Sequence, residues 1–400
     1  MRTIRLATHS HILLLALLAV LLSACVEHRF VVDHAGDQSD HNPGDGVCAA
    51  LVGYESSTFP PSPVYACTLR AAIEEANALG SYVEIRVPPH PISTYEFDPI
   101  HVTGNVTLVA TGEVNLAGPL HFQGGARAIL LGFNHYDSPG PDSCVEVLDA
   151  QVFIFHTTFS GCQGERGGAL FVGPEGTVFV ETSRFRFSEA NIRGGGAIFN
   201  DGFVSVRRST FFRNESWGGI GGAIHNAESG ELFLANTALH ENHGGAIVNR
   251  GVATLANVSI THNEHSFTGG LSGGLTNFEP GSVVIRNTLL ANNFPGDCMG
   301  TLSSEGFNVI EDDSAGACVR TDDAHLDEVG VPTDISQRWV EVYPLAEELV
   351  GVPVPGDPGY GEGNPLTPGS LPEACETYDL LGNDRRTALR CDVGAVQVSP

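Results

Sequence analysis

The hexapeptide GGAIHN at residues 221–226 recurs along the chain with few changes. GGAIFN occupies 195–200 and GGAIVN occupies 244–249, and looser copies are GGALFV at 167–172 and GGLTN at 273–277. A glycine-rich loop that cradles a phosphate is needed once per binding site. Five copies therefore indicate an architectural repeat and argue against a nucleotide site.

Short segments follow these copies, and they alternate apolar with polar residues and are rich in Val, Phe, Thr and Ile, which is a strand pattern. Aligned by eye, they share two polar columns. The first column contains Ser183, Ser209, Asn236, Asn257 and Asn287, and the second contains Asn214, Asn242, Asn263 and Asn292. Members of the first column lie 21 to 30 residues apart. A repeat of that length made only of strands and tight turns predicts a parallel β-helix, in which each turn adds one strand to each sheet.

Each position of the hexapeptide has a predicted role in such a coil. The paired glycines allow positive φ at a corner between two sheets, and Ala and Ile point into the core. The final Asn tolerates a left-handed conformation and hydrogen-bonds to the Asn of the next turn, as in stacked amide ladders. The residue before this Asn varies, so we expect an outward or non-critical position for Phe199, His225, Val248 and Thr276.

The N-terminus has the features of an export signal. Arg2 and Arg5 precede an apolar run from Ile12 to Leu22, which is shorter than the roughly 20 residues of a membrane span. LSAC at 22–25 resembles a bacterial lipobox, which implies a lipid-anchored (palmitate-bearing) Cys25 in the outer membrane or at the cell surface. The alternative is an ordinary cleavage site beside a cysteine.

The charge and the cysteines restrict the function further. The formal net charge of −27 argues against nucleic acid as a partner. Apart from Cys25, the eight cysteines form four neighbouring couples, as expected of disulfides in an oxidising compartment. Eight cysteines allow 105 connectivities, and we predict sequential pairing, Cys48–Cys67, Cys144–Cys162, Cys298–Cys318 and Cys375–Cys391.

Several stretches resemble known families. GDGVC at 44–48 and CTLRAAIEEANA at 67–78 are similar to the N-terminal module of CSLREA-domain proteins, and CDVGAVQ at 391–397 is similar to a choice-of-anchor Q module. The GGAI repeats resemble those of polymorphic outer-membrane proteins. The resemblance implies a right-handed parallel β-helix. The chain departs from the C-S-L-R-E-A pattern at residues 67–72, which read CTLRAA.

The predicted fold class is all-β, with a short N-terminal capping helix and a loop-rich C-terminal cap. Thr68 is placed to cap the helix, and Gly80 to end it. The predicted organisation is a signal peptide at 1–24, a polar tether at 25–45, an N-terminal cap at 46–82 with a helix at 68–79, a β-helix at 83–310 and a closing module at 311–400.

Two groups of residues are candidates for binding a metal ion. His240, His243, His262 and His265 lie in two stretches about one repeat apart, and imidazole suits Zn²⁺, Cu²⁺ or Ni²⁺. Solvated surface histidines are the alternative. Asp33, Asp37, Asp40 and Asp45 suggest Ca²⁺ but lack the regular spacing of a Ca²⁺ loop, so a charged tether is the competing interpretation.

The sequence favours a non-enzymatic surface protein, a rigid rod that binds a glycan or a protein. Polysaccharide lyases and hydrolases often share this fold, but fold alone does not imply catalysis. The acids of the repeats fall in no common column: Glu181, Asp201, Glu231, Glu241 and Glu264. A carbohydrate-active enzyme and a Ca²⁺-dependent glycan-binding module remain the alternatives.

Overall fold

The computed structural model describes residues 26–57, 59–90, 94–136, 140–191, 193–218, 220–265, 271–311, 318–322, 327–329, 336–342, 346–352, 375, 378–383, 385 and 391–396. The predicted signal peptide, Cys25 and the Pro/Gly-rich stretch 353–374 lie outside these residues. Within them, no helix is both long enough and apolar enough to cross a bilayer.

Three stacks of parallel strands wind around one core, which confirms the predicted parallel β-helix. We call them sheets 1, 2 and 3 in the order in which each turn visits them. Sheet 1 contains His28–Val31, Tyr82–Val87, Gln151–Phe155, Thr177–Glu181, Phe203–Arg207, Ser282–Arg286 and Cys318–Asp322. Sheet 2 contains Tyr95–Glu96, Thr158–Ser160, Arg184–Arg186, Thr210–Phe212, Leu289–Ala291, Val309–Ile310 and Glu328–Val329.

Longer strands bend from one sheet into the next. Four of them run through sheets 1 and 2: Asn105–Ala117, Arg127–Tyr136, Glu231–His240 and Val252–Thr261. Sheet 3 contains Ile100–Val102, Leu120–Phe122, Val145–Val147, Leu170–Val172, Ile198–Asn200, Ile224–Asn226, Ile247–Asn249 and Leu275–Asn277, and Cys298–Ser304 runs from it into sheet 1.

Smaller elements complete the coil. A short parallel ladder between sheets 2 and 3 contains Gln163–Gly164, Glu189–Ala190 and Glu215–Ser216. Among the described residues, two antiparallel hairpins lie outside the coil, Ala50–Glu55 with Ser62–Ala66 and Ser336–Val342 with Ala346–Val352.

Alternation along the strands places one set of side chains in the core. In sheet 2 the inward positions of successive turns stack directly. The ring centroids of His135 and Phe159 are 6.0 Å apart, those of Phe159 and Phe185 are 4.9 Å apart, and those of Phe185 and Phe211 are 4.6 Å apart. All four side chains are sealed from solvent, so this aromatic stack fills the core at the start of the repeats.

The hexapeptide forms the predicted glycine corner, but its final Asn does not have the left-handed conformation expected of it. Gly221 has φ of 63°, and Ala223 and Ile224 are fully buried. The amide Nδ2 of Asn226 donates to Oδ1 of Asn249 at 2.7 Å, and Asn200 donates to Asn226 at the same distance. Asn249 continues the ladder to Asn277 at 2.8 Å. The predicted amide ladder along the axis is confirmed.

In the copies at 195–200 and 221–226 the second glycine of the pair has a different role from the predicted one. Gly222 does not have positive φ, but a Cβ placed on it would collide with the carbonyl oxygen of His243 on the next turn. Gly196 is in the same position relative to the carbonyl of Gly222. In these two copies the second glycine is required because consecutive turns approach closely. In the copy at 244–249 both glycines have positive φ, as predicted.

The sheet register differs by one residue from the first polar column read from the sequence. Sheet register pairs Arg207 with Ala235 and Thr210 with Ala238, so Ser209 aligns with Thr237, and Asn236 aligns with Arg208. The column that contains Asn236, Asn257 and Asn287 has positive φ, which places these asparagines at a left-handed corner.

The second column also shifts by one residue at its end. Asn292 has φ of 56°, and its neighbour Asn293 continues the buried ladder from Asn214, Asn242 and Asn263. The last amide, Asn293, donates to the carboxylate of Asp297 at 2.8 Å. A carboxylate accepts only, so Asp297 ends the chain of donors without leaving a buried N–H unpaired.

One helix, Leu69–Leu79, covers the N-terminal end of the coil. The Thr68 hydroxyl accepts from the Ala71 amide at 3.0 Å, and Gly80 ends the helix with φ of 65°. Both predicted caps are confirmed. Glu75 is fully buried, and its carboxylate accepts from the amides of Gly44 and Gly46. The helix thus fixes the preceding loop against the end of the rod.

The segment predicted as a polar tether packs against this end instead. His28–Val31 pairs in parallel with Tyr82–Val87 and buries Phe30. Asp37 forms an ion pair with Arg70 at 2.7 Å, and Asp33 accepts from the Cys67 amide. The polar composition of residues 25–45 did not predict the edge strand His28–Val31, in which Phe30 is the inward apolar side chain.

The C-terminal part extends the coil and covers its side. Strands of sheets 1 and 2 continue beyond the predicted boundary at residue 310. Arg385 is buried and donates to the carbonyls of Asp392, Gly394 and Ala395 and to the side chain of Asn236. A small apolar cluster of Ala238, Leu380, Ala395 and Val396 forms beside it.

All four cysteine couples are disulfide-bonded in sequential order, as predicted: Cys48–Cys67, Cys144–Cys162, Cys298–Cys318 and Cys375–Cys391. Each bridge joins residues 16 to 20 positions apart.

Candidate binding surface

The outer face of sheet 1 carries a concentration of phenylalanine. Outward positions of four neighbouring turns hold five rings, and we call them together the sheet-1 surface: Phe153, Phe155, Phe179, Phe203 and Phe233. All but Phe153 are partly exposed. Large apolar groups that face solvent in a contiguous patch mark interaction sites.

Register explains why these rings lie together. Phe153 and Phe179 are directly paired, and their rings stack with centroids 5.0 Å apart. Phe203 lies beside Phe179 at 5.5 Å. Arg207 ends the strand that begins with Phe203. Its guanidinium lies over the ring of Phe233 on the next turn, 4.7 Å from the ring centroid, which is a cation–π geometry. Phe153, Phe179 and Phe203 therefore form a group of rings in contact across three turns. Phe233 lies one turn further, separated from Phe179 in its column by Ser205.

Polar side chains flank the rings of the sheet-1 surface. Gln151, Thr177 and Glu231 share the outward column of Phe203. Arg208, at the adjoining corner, forms an ion pair with Glu181 of the preceding turn at 2.5 Å. The surface thus combines apolar ring faces with hydrogen-bonding groups.

The outer column of sheet 3 is covered, contrary to the expectation for the variable hexapeptide position. Phe199, His225, Val248 and Thr276 are all buried. His225 Nδ1 lies 2.9 Å from the Arg193 carbonyl oxygen, and burial lowers its pKa. Loop residues cover parts of this column, with Arg166 over the Phe199 ring and the Ser272 amide donating to the Thr276 hydroxyl. The repeat pattern alone does not show these contacts.

At the N-terminal end of the same column, three potential ligands converge. His121 and Glu146 are register partners on adjacent strands of sheet 3. His121 Nε2 lies 3.8 Å from a carboxylate oxygen of Asp142 and 3.9 Å from one of Glu146. Burial, opposed by His121 and reinforced by the Asp142 carboxylate, raises the pKa of Glu146. In the part of the chain that the structure describes, this is the one group of three or more such ligands within 4.8 Å of one another.

The four histidines predicted as a metal site do not converge. His240 and His262 are neighbours with ring centroids 5.1 Å apart, and His240 Nδ1 contacts the Thr261 hydroxyl at 3.1 Å. His243 is 47% exposed and faces Glu264 instead, because register pairs these two residues. The four candidate histidines therefore do not gather at one point, because the two stretches are offset by one residue.

The aspartates considered for Ca²⁺ are each used locally. Asp40 accepts from the Asn42 and Ala49 amides, and Asp45 accepts from the Val47 amide. Asp33 and Asp37 have the partners given above. The four carboxylates stabilise loops and form no common cation site.

The acids of the repeats remain scattered, as the sequence predicts. Glu181 and Glu241 each pair with an arginine one turn away, Arg208 and Arg213. Sequence reasoning missed Asp142 and Glu146, because no spacing pattern links them to His121. It also missed the sheet-1 surface, although the alternating phenylalanines of residues 153–155 and 179 were visible.

Searches of protein-family models, curated proteins and solved structures found no match to this chain.

Proposed function

We propose that this protein is an exported, lipid-anchored binding rod at the outer membrane or cell surface, and that it binds a neutral glycan through the sheet-1 surface. The five phenylalanines of the sheet-1 surface, three of which are in ring contact, carry the proposal. Aromatic rings pack against the apolar faces of ligands, and the flanking Gln151, Thr177 and Glu231 offer hydrogen bonds.

The periodicity of the rod supports a polymeric ligand. Sheet strands repeat at about 4.8 Å along the axis, so the outward positions of successive turns, whether they hold a ring or a polar group, lie at multiples of this spacing. A linear glycan also presents identical units at a regular spacing. The net charge of −27 disfavours an anionic polymer through long-range repulsion.

The location rests on the N-terminal sequence. The lipobox-like LSAC at 22–25 supports lipidation of Cys25, and four disulfides fit an oxidising compartment. The resemblance to CSLREA-domain and choice-of-anchor Q proteins is compatible with the β-helix and with surface attachment.

A glycan array combined with a polysaccharide-degradation screen tests the proposal on residues 26–400. We expect retention on neutral glycans without release of products. Products from any polysaccharide would favour the carbohydrate-active enzyme. Retention only on immobilised protein would favour a protein adhesin, and no retention at all would contradict glycan binding.

A further inference from the structure

We propose that His121, Asp142 and Glu146 form a binding site for a divalent transition-metal ion of the Zn²⁺ type. The site lies on sheet 3, away from the sheet-1 surface, and the inference does not depend on the proposed glycan binding. An imidazole nitrogen with two carboxylate oxygens is a donor set that Zn²⁺ accepts, with a fourth position left for water or another ligand.

The distances fit a shared central ion better than direct hydrogen bonds. His121 Nε2 is 3.8 and 3.9 Å from the two carboxylate oxygens, beyond the roughly 3.2 Å limit of a good hydrogen bond. Three ligands at about 2.1 Å from a tetrahedral ion lie about 3.4 Å apart. Small side-chain rotations close the remaining difference.

His121 Nε2 is itself a second observation that points to a ligand. This atom is shielded from solvent and has no hydrogen-bond partner among the described residues. A buried ring nitrogen without a partner carries a free-energy cost. A metal ion bound by the lone pair of the neutral imidazole removes that cost.

The backbone positions all three ligands rigidly. His121 and Glu146 occupy paired central positions of Leu120–Phe122 and Val145–Val147, so both side chains leave the same face of sheet 3. Asp142 lies two residues before Cys144, whose disulfide to Cys162 is fully buried. The His101 ring packs edge-on against the His121 ring, with centroids 5.1 Å apart. A site built on strands and a cross-linked loop is preorganised.

Charge also favours a cation here. Two carboxylates face one imidazole, and Arg166 is the further charged group that acts on Glu146. The Arg166 guanidinium stacks on Phe171 at 3.9 Å from the ring centroid, which fixes it beside the cluster. The Arg166 charge offsets one of the two carboxylate charges, so the cluster with a neutral imidazole remains anionic and attracts a cation.

Calorimetric titration of Zn²⁺ into chelator-treated residues 26–400 tests the site. We expect one ion per chain and a rise in the melting temperature when Zn²⁺ is present. His121→Gln and Asp142→Asn should each lower the affinity at least about tenfold, because loss of an outer-shell partner already costs about 10- to 100-fold. His243→Gln is the matched control, since this exposed histidine also faces a carboxylate, that of Glu264.

Anomalous diffraction at the zinc edge locates the ion directly. A peak between His121, Asp142 and Glu146 supports the proposal. A chain that binds no Zn²⁺, or that binds it equally well after His121→Gln, overturns it. Loss of binding only in the His243→Gln variant also overturns it and places the ion elsewhere. Circular dichroism of each variant shows whether the coil remains folded.

Discussion

At the residue scale, the burial of His135 makes the stability of the folded chain depend on pH. The ring continues the phenylalanine stack of sheet 2, and Nε2 lies 2.6 Å from the Gly118 carbonyl oxygen. Burial lowers the pKa of His135 from 6.5 to about 4. The unfolded chain therefore binds a proton at His135 between about pH 6.5 and pH 4 while the folded chain does not, and stability falls as the pH falls through this range.

Replacement of His135 by phenylalanine should remove that dependence. The new ring extends the stack of Phe159, Phe185 and Phe211, and no proton has to be lost on folding. Urea unfolding at pH 7.5 and 4.5 measures the effect. We expect the acid-induced loss of stability to be smaller in the variant by about 2 to 3 kcal/mol. An equal loss in both proteins would show that His135 titrates normally, and His243→Gln provides a surface control.

At the element scale, the glycine pair of the hexapeptide shows what sequence could and could not predict. The repeat, its corner glycine and its buried Ala and Ile followed from the spacing of GGAIHN. The role of Gly222 did not, because the close approach to the His243 carbonyl depends on how consecutive turns stack. The stacking of consecutive turns also determines the one-residue shifts in the asparagine columns. It likewise determines the grouping of His121 with Asp142 and Glu146, so neither could be predicted from the sequence.

Gly222→Ala should therefore destabilise the coil. The added Cβ collides with a backbone carbonyl, which cannot move without displacing the next turn, and we expect a loss of about 2 kcal/mol. Gly53→Ala is the matched control, because a Cβ there meets nothing within 4 Å and Gly53 does not have positive φ. Its effect should stay within about 0.5 kcal/mol. Thermal unfolding measures the loss of stability in both variants. Equal losses in Gly222→Ala and Gly53→Ala would contradict the conclusion that Gly222 is required by the close approach of consecutive turns.

At the scale of the whole molecule, the C-terminal segment is joined to the side of the rod through Arg385. The guanidinium satisfies the carbonyls of residues 392, 394 and 395 and reaches Asn236 in the long strand Glu231–His240. The sequence predicted a closing module at 311–400, but not that its described part covers the outer side of sheet 2. That contact pairs residues about 150 positions apart, and local patterns carry no information on it.

Arg385→Ala should release this segment. The carbonyls that it satisfies lose their donor in a buried setting, so limited proteolysis should cleave the variant near residues 378–396 well before the wild type. The coil should keep its β-sheet circular dichroism. Arg127→Ala, at an exposed arginine of sheet 1, should leave the cleavage pattern unchanged. If Arg385→Ala resists proteolysis as well as the wild type does, contacts other than those of Arg385 hold the segment.

The most direct test of the proposed binding rod is the affinity of residues 26–400 for the best glycan found on the array, compared with two variants. Phe179→Ala combined with Phe233→Ala removes two rings of the sheet-1 surface, and we predict a loss of affinity of at least about tenfold. Phe187→Ala removes an exposed ring at a different corner and should leave the affinity unchanged. Equal affinity of the double variant and the wild type would contradict binding through the sheet-1 surface.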